Sequence, residues 1–212
     1  MCEADGIGSE KFTMPKKDFL APLLSALHDL VAWLQAKKVP GVVIGGVAAS
    51  LLGRPRVTRD VDVVVILDQQ DWNEFLTAGT RFGFVARRPD ALKFAQRTRV
   101  LLVHHKPSGI DVDVIISSLL YEKEIIEKAI WVKVGGIRIP LPVTEDLIVM
   151  KALAHRPRDL VDIEALLDAH PKLNIRKIRR LVCEISESLA MPEILKDLET
   201  ILAHRRKQKN KK

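Results

Sequence analysis

Asp60-Val61-Asp62-Val63-Val64-Val65-Ile66-Leu67 is the stretch on which the fold turns. Its run of β-branched residues predicts a buried strand. Side chains alternate along a strand, so Asp60, Asp62 and Val64 share one face, with Val61, Val63 and Val65 on the other. Arg56 and Thr58 join the acidic face if the strand begins early. Two carboxylates on one side of an apolar strand are costly unless they are solvated, paired or bound to a metal.

A second strand, expected over 110–116, repeats the device. Asp111 and Asp113 share a face opposite Ile110, Val112, Val114 and Ile116. If the two strands are neighbours, three or four carboxylates meet at one place. Hard divalent cations such as Mg²⁺ favour such an oxygen-rich pocket, with substrate phosphates completing the shell. Two such ions about 3.5–4 Å apart clamp an in-line phosphoryl or nucleotidyl transfer. The plain alternative is that the acids end strands or pair with Arg54, Arg56 and Arg59 at the surface.

Upstream, Val42, Val43 and Ile44 form a short apolar strand that closes on Gly45-Gly46. Glycine lets a backbone approach a phosphate closely, and a helix start offers free N–H groups to an anion. An ordinary strand-to-helix turn uses the same residues. Lys151 stands on the apolar stripe of a helix expected over 144–155, beside Leu147, Ile148, Ala154 and His155. Either its stem snorkels along the core or its ammonium faces an anion such as a triphosphate. Asp159 suits the first turn of the next helix, and Asp162 suits a basic partner such as Lys151. His104 and His105 point to opposite faces of one strand and cannot share a metal; they read as structural or edge residues. Cys183 reads as an inert thiol.

Outward from these motifs, helices are expected over 15–38, 47–52, through Trp72 and Phe75, and over 119–130. Strands are expected over 100–104 and 110–116, joined by a turn at 106–109, and a hairpin turns at Gly135-Gly136. Residues 83–99 carry no decisive pattern. Four helices, over 144–155, 158–168, 174–189 and 193–204, close the chain. The fold class is therefore α+β: a mixed β-sheet with flanking helices and a C-terminal helical bundle. Four segments follow: a disordered N-terminus at 1–14, a core at 15–142, a helical subdomain at 143–204 and a basic tail at 205–212.

The order Val43-Ile44-Gly45-Gly46, Arg56-x-Thr58-x-Asp60-Val61-Asp62, then Val112-Asp113-Val114 resembles the polymerase-β-type nucleotidyltransferase superfamily. Glu145-Asp146-Leu147-Ile148-x-x-Lys151, followed by Arg156-Pro157-x-Asp159-Leu160-x-Asp162-Ile163, is similar to its AbiEii/AbiGii toxin branch and MenT-like relatives. The resemblance implies a nucleotidyltransferase-type fold. It also implies transfer of a nucleoside monophosphate from an NTP to an acceptor hydroxyl on tRNA or protein. Asp60, Asp62 and Asp113 would bind two Mg²⁺ (or Mn²⁺), with Asp111 competing for the third position. Asp113 would also help activate the hydroxyl. Gly45, Gly46, Ser50, Arg56, Thr58 and Lys151 would contact the nucleotide, Lys151 at the triphosphate. Where many members carry Ser after the first Gly, Gly46 offers only its backbone, with Ser50 a turn away. A toxin role implies an antitoxin partner. A small-molecule, aminoglycoside-type transferase and a nucleotide- or partner-binding module without turnover are the competing readings.

Composition bounds these readings. The 212 residues carry 34 Lys and Arg against 27 Asp and Glu, a net charge of +7, and the isoelectric point is near 9.5. That invites a nucleic-acid reading, but Arg205, Arg206, Lys207, Lys209, Lys211 and Lys212 crowd the last eight residues. Without those six the chain holds 28 basic and 27 acidic side chains, a net of +1. No apolar run reaches the ~18 residues of a membrane span, and no secretory pattern opens the chain. Cys2 and Cys183 make neither a disulfide framework nor a zinc site, which points to a reducing cytoplasm.

Overall fold

Hydrophobic alternation and helical periodicity both find their partners in the computed structural model, which describes residues 20–209. The expected N-terminal extension, the start of the first helix, and Lys211 and Lys212 lie outside the described residues. Five strands make one mixed sheet in the order β1-β2-β5-β4-β3: β1 (Gly41–Ile44), β2 (Asp60–Val65), β3 (Phe84–Ala86), β4 (Val100–His105) and β5 (Ile110–Ile116). β2 and β5 run parallel at the centre, and every other neighbour is antiparallel. The Gly135-Gly136 hairpin forms a separate two-stranded sheet from β6 (Ile130–Val134) and β7 (Ile137–Leu141). Residues 83–99, without decisive pattern in the sequence, hold the three-residue strand β3 and the helix α4 (Ala91–Thr98).

The two faces of the sheet are covered unequally. Val61, Val63 and Val65 of β2 and Val112, Val114 and Ile116 of β5 pack into the main core. There they meet α1 (Leu20–Ala36), α2 (Gly45–Leu52) and α3 (Trp72–Gly79). Trp33 anchors that layer: it stacks on Phe75 at 4.1 Å and on Phe84 at 5.1 Å, and its Nε1–H donates to the Phe75 carbonyl at 3.1 Å. On the opposite face, α5 (Leu120–Glu127) covers Val42, Ile44 and Val64 through Ile125 and Ile126, with Ile66 and Ile115 packed against that cluster. The strand starts that carry the acids lie beyond that cover.

Four helices complete the chain: α6 (Thr144–Ala154), α7 (Pro157–Ala169), α8 (Ile175–Ser188) and α9 (Pro192–Lys209). Leu147, Ile148, Ile163, Leu166, Ile178, Val182 and Leu198 join the same main core as the sheet. The core therefore runs without a break across the change from strands to helices. α9 departs from expectation. Instead of ending at 204 before a disordered tail, it continues to Lys209. Arg205 donates from Nη2 to the His170 carbonyl at 3.3 Å, which folds this part of the basic cluster against α7.

Trp33→Ala is expected to lower the unfolding free energy by about 3–5 kcal/mol, the range for emptying a buried aromatic site. Urea denaturation followed by fluorescence and circular dichroism measures it. A loss under 1 kcal/mol would show that the core does not rest on this stack.

Candidate active site

Parallel pairing of β2 with β5 sets Asp60 opposite Asp111 and Asp62 opposite Asp113. All four side chains therefore share the face that α5 leaves open. Asp60 is exposed; Asp62, Asp111 and Asp113 are half-buried. β1 pairs Ile44 with Asp62, so the turn that follows β1 reaches the same point. Gly45 adopts a left-handed φ of +64°, and a Cβ there would overlap the Asp62 carboxylate. Only glycine lets the backbone turn this close to an acid. At Gly46 a Cβ would meet the Thr58 methyl at 2.9 Å and Arg56 Nη2 at 3.0 Å. Thus Gly45, Gly46, Arg56, Thr58, Asp60 and Asp62 do come together.

The electrostatics follow from that crowding. Burial, then the charges of Asp60 and Asp113, push the Asp62 carboxyl up to about 6, against Lys151 and Arg156. Burial also raises Asp113, with Asp60 and Asp111 adding to the effect and Arg87 opposing it. Asp111 behaves oppositely: the hydrogen bond from His104, helped by Arg87, holds it below the ordinary carboxylate range. His104 Nδ1–H donates to Asp111 Oδ1 at 2.7 Å and Arg87 Nη1 to Asp111 Oδ2 at 3.0 Å. Arg87 Nη2 pairs with Asp113 Oδ1. As placed, no three carboxylate, imidazole or thiol groups converge on one point among the described residues.

A second cluster lies behind the glycine turn. Lys151, only 7% exposed, is held by Asp159 at 2.6 Å and Asp162 at 2.9 Å. Asp162 also takes a two-pronged grip from Arg56, Nε to Oδ1 at 3.0 Å and Nη2 to Oδ2 at 3.1 Å. Lys151 therefore neither snorkels nor stands free. Its ammonium is paired with two carboxylates and acts on Asp62 through space. Ser50 is committed as well: its hydroxyl donates to the Arg56 carbonyl at 3.1 Å and accepts from the Arg56 amide at 3.4 Å. Thr58 Oγ1 is buried beside Gly46 and has no hydrogen-bond partner among the described residues.

Of the two histidines, His105 is structural as expected, buried between Asp29 at 3.0 Å and Ser108 at 2.7 Å. His104 instead belongs to the acidic face. Arg87 was not legible individually. It leaves β3 with its amide on the Leu102 carbonyl at 3.0 Å, and Leu102 pairs with Asp113. A three-residue edge strand gives too little period to reveal that register.

The donor set fits hard cations. Carboxylates face one another with too little positive charge between them, against a glycine turn with an unpartnered hydroxyl. Asp62 sets the pH response. Its folded value exceeds the ordinary 3.8, so stability is lost as pH rises through the window from 3.8 to about 6. In chelator at pH 7.5, Asp62→Asn is expected to be about 1–2 kcal/mol more stable than the native chain after allowance for solvent screening. The two should converge by pH 4. Thermal melts across pH measure this, and an Asn variant less stable at pH 7.5 would refute the crowding.

The fold has solved counterparts. The solution structure of the antibiotic-resistance factor ANT(2'')-Ia matches with a TM-score of 0.54 at 14% identity, over 81% of this chain and 95% of that one. The crystal structure of ANT(2'')-Ia with adenylyl-2''-tobramycin gives 0.53 at 17% identity, over 79% and 98%. An antigenic nucleotidyltransferase-like protein from Paracoccidioides brasiliensis gives 0.53 at 15%, over 85% and 94%. These likenesses establish the fold as that of nucleotidyltransferases. No curated protein matches the chain. The family model described as nucleotidyl transferase of unknown function (DUF2204) matches residues 23–200. That span takes in every strand of both sheets and the whole Lys151 cluster, and the chain belongs to this family of nucleotidyl transferases, enzymes that move phosphorus-containing groups.

Proposed function

We propose that the chain moves a nucleoside monophosphate from an NTP to a hydroxyl acceptor, with Asp60, Asp62 and Asp113 holding Mg²⁺. The observation that carries this reading is the register of β2 on β5, which puts Asp62 beside Asp113, with the Gly45 backbone against Asp62. Of the two candidates for the third acid, Asp113 keeps Oδ2 free of any side-chain bond among the described residues, whereas both oxygens of Asp111 are engaged. Bound divalent ions would neutralise the carboxylates and polarise the phosphates.

The remaining work falls to the chain. The Gly45–Gly46 turn opens α2, whose first N–H groups would receive the phosphates, and the buried Thr58 hydroxyl beside it has no hydrogen-bond partner among the described residues. Arg56, fixed by Asp162, presents a guanidinium at Gly46. Lys151 contributes positive potential behind Asp62. The acceptor oxygen forms a bond to the α-phosphorus, the α–β bridging bond breaks and pyrophosphate leaves. The hydroxyl proton would pass to the Asp113 carboxylate.

The acceptor we favour is tRNA or protein, in the manner of a toxin with an antitoxin partner; the similarity of residues 145–163 to the AbiEii/MenT branch supports it. Transfer to a small hydroxylated molecule is the second reading, favoured by the fold shared with ANT(2'')-Ia, seen with adenylyl-2''-tobramycin. Incubation with α-labelled NTPs, Mg²⁺, total tRNA, lysate and aminoglycosides distinguishes them. The expected outcome is label on RNA or protein. Asp62→Asn should lower it at least about a hundredfold, since even groups that only support metal ligands are worth about 10–100-fold. Label on an aminoglycoside selects the second reading. No labelled acceptor favours a binding module, and an Asn variant as active as the native chain removes the metal assignment.

A further inference from the structure

Asp113 has two suitors on this face. Arg87 Nη2 already holds its Oδ1, while β5 sets the same residue beside Asp62. The two oxygens of Asp111 are taken by His104 and by Arg87 Nη1, so the guanidinium is moored at Asp111 whether or not it also holds Asp113. Its main chain is equally fixed, with the Arg87 amide on the Leu102 carbonyl. The Asp113 carboxylate is the less committed of the two acids, 35% exposed and with Oδ2 unbonded to any side chain among the described residues. In this arrangement no three of the acids converge on one point among the described residues.

We infer that Arg87 is a latch on the third acid: it neutralises Asp113 in the metal-free protein and must yield it for a divalent cation to bind. Arg87 is thus a positioning residue, acting on the metal site through Asp113. The latch rests on the proposed metal site and adds a competitor to it. A guanidinium and a divalent cation draw the same carboxylate in different directions, so removing the first should strengthen the second. A plain supporting role predicts the reverse, because removing a group that orients a ligand weakens metal binding about 10–100-fold.

The test is direct Mn²⁺ binding without nucleotide, followed by electron paramagnetic resonance of the free ion. It is run on the full chain and on Arg87→Ala, Arg87→Lys and Asp113→Asn, with circular dichroism confirming that each variant folds. Arg87→Ala is expected to bind Mn²⁺ about fivefold more tightly, the scale of one half-exposed ion pair. Arg87→Lys, with a single point charge in place of the two-pronged fork, should fall between. Asp113→Asn should weaken binding at least tenfold. Unchanged or weaker binding in Arg87→Ala, with Asp113→Asn still impaired, overturns the latch and leaves the metal site standing. Unchanged binding in Asp113→Asn overturns the metal assignment of Asp113 and the latch with it.

Discussion

Everything at the site depends on β2 lying parallel to β5 in one register. A shift of one residue would turn either pair of aspartates into the valine core, where an unpaired carboxylate is prohibitively costly. Val61, Val63 and Val65, with Val112, Val114 and Ile116, therefore lock the acids in place by excluding the alternative. The hydrophobic face sets the geometry and the polar face inherits it. Like charges are thereby held together, and burial first, then their mutual repulsion, raises Asp62 and Asp113.

The second constraint couples this sheet to the C-terminal helices. Lys151, Asp159, Asp162 and Arg56 form one chain of ion pairs running from α6 and α7 to the loop before β2. Buried pairs of this kind add little net stability, because desolvation offsets much of the attraction. What they supply here is placement. Asp162 sits between two cations, so the Arg56 guanidinium at Gly46 and the Lys151 ammonium behind Asp62 are held by the same carboxylate. The polar groups of α6 and the geometry of the glycine turn cannot be altered independently.

Legibility in the sequence followed the length of the pattern. The alternation in Asp60–Val65 and Ile110–Ile116 specified which side chains share a face, and the helical repeats marked every helix of the C-terminal bundle. Strand direction was not readable, because parity is the same for parallel and antiparallel neighbours. Arg87 was hidden for a related reason: it follows a three-residue strand whose partner is distant in sequence. Lys151 was recognisable as out of place on an apolar stripe, and Asp162 as a partner for it. Their joint engagement with Arg56 needed the fold. The composition misled most at the C-terminus, where a cluster of basic residues reads as solvated tail, yet Arg205 lines a groove of about 380 Å³ with Arg54, Arg56 and Asp162.

Net charge is accordingly a poor guide to this molecule, and its distribution is a good one. On the open face, Asp60, Asp62, Asp111 and Asp113 are met directly by one guanidinium and one imidazole. Asp62 loses its proton around pH 6, so it adds negative charge to the patch just below neutrality. Lys151 cannot supply the difference, being committed to Asp159 and Asp162. Arg56 is likewise committed to Asp162. A face built this way is incompletely neutralised by its own side chains at physiological pH. Under the proposed function, divalent cations from solution would complete it, and their charge would in turn make it hospitable to the polyanion that an NTP brings.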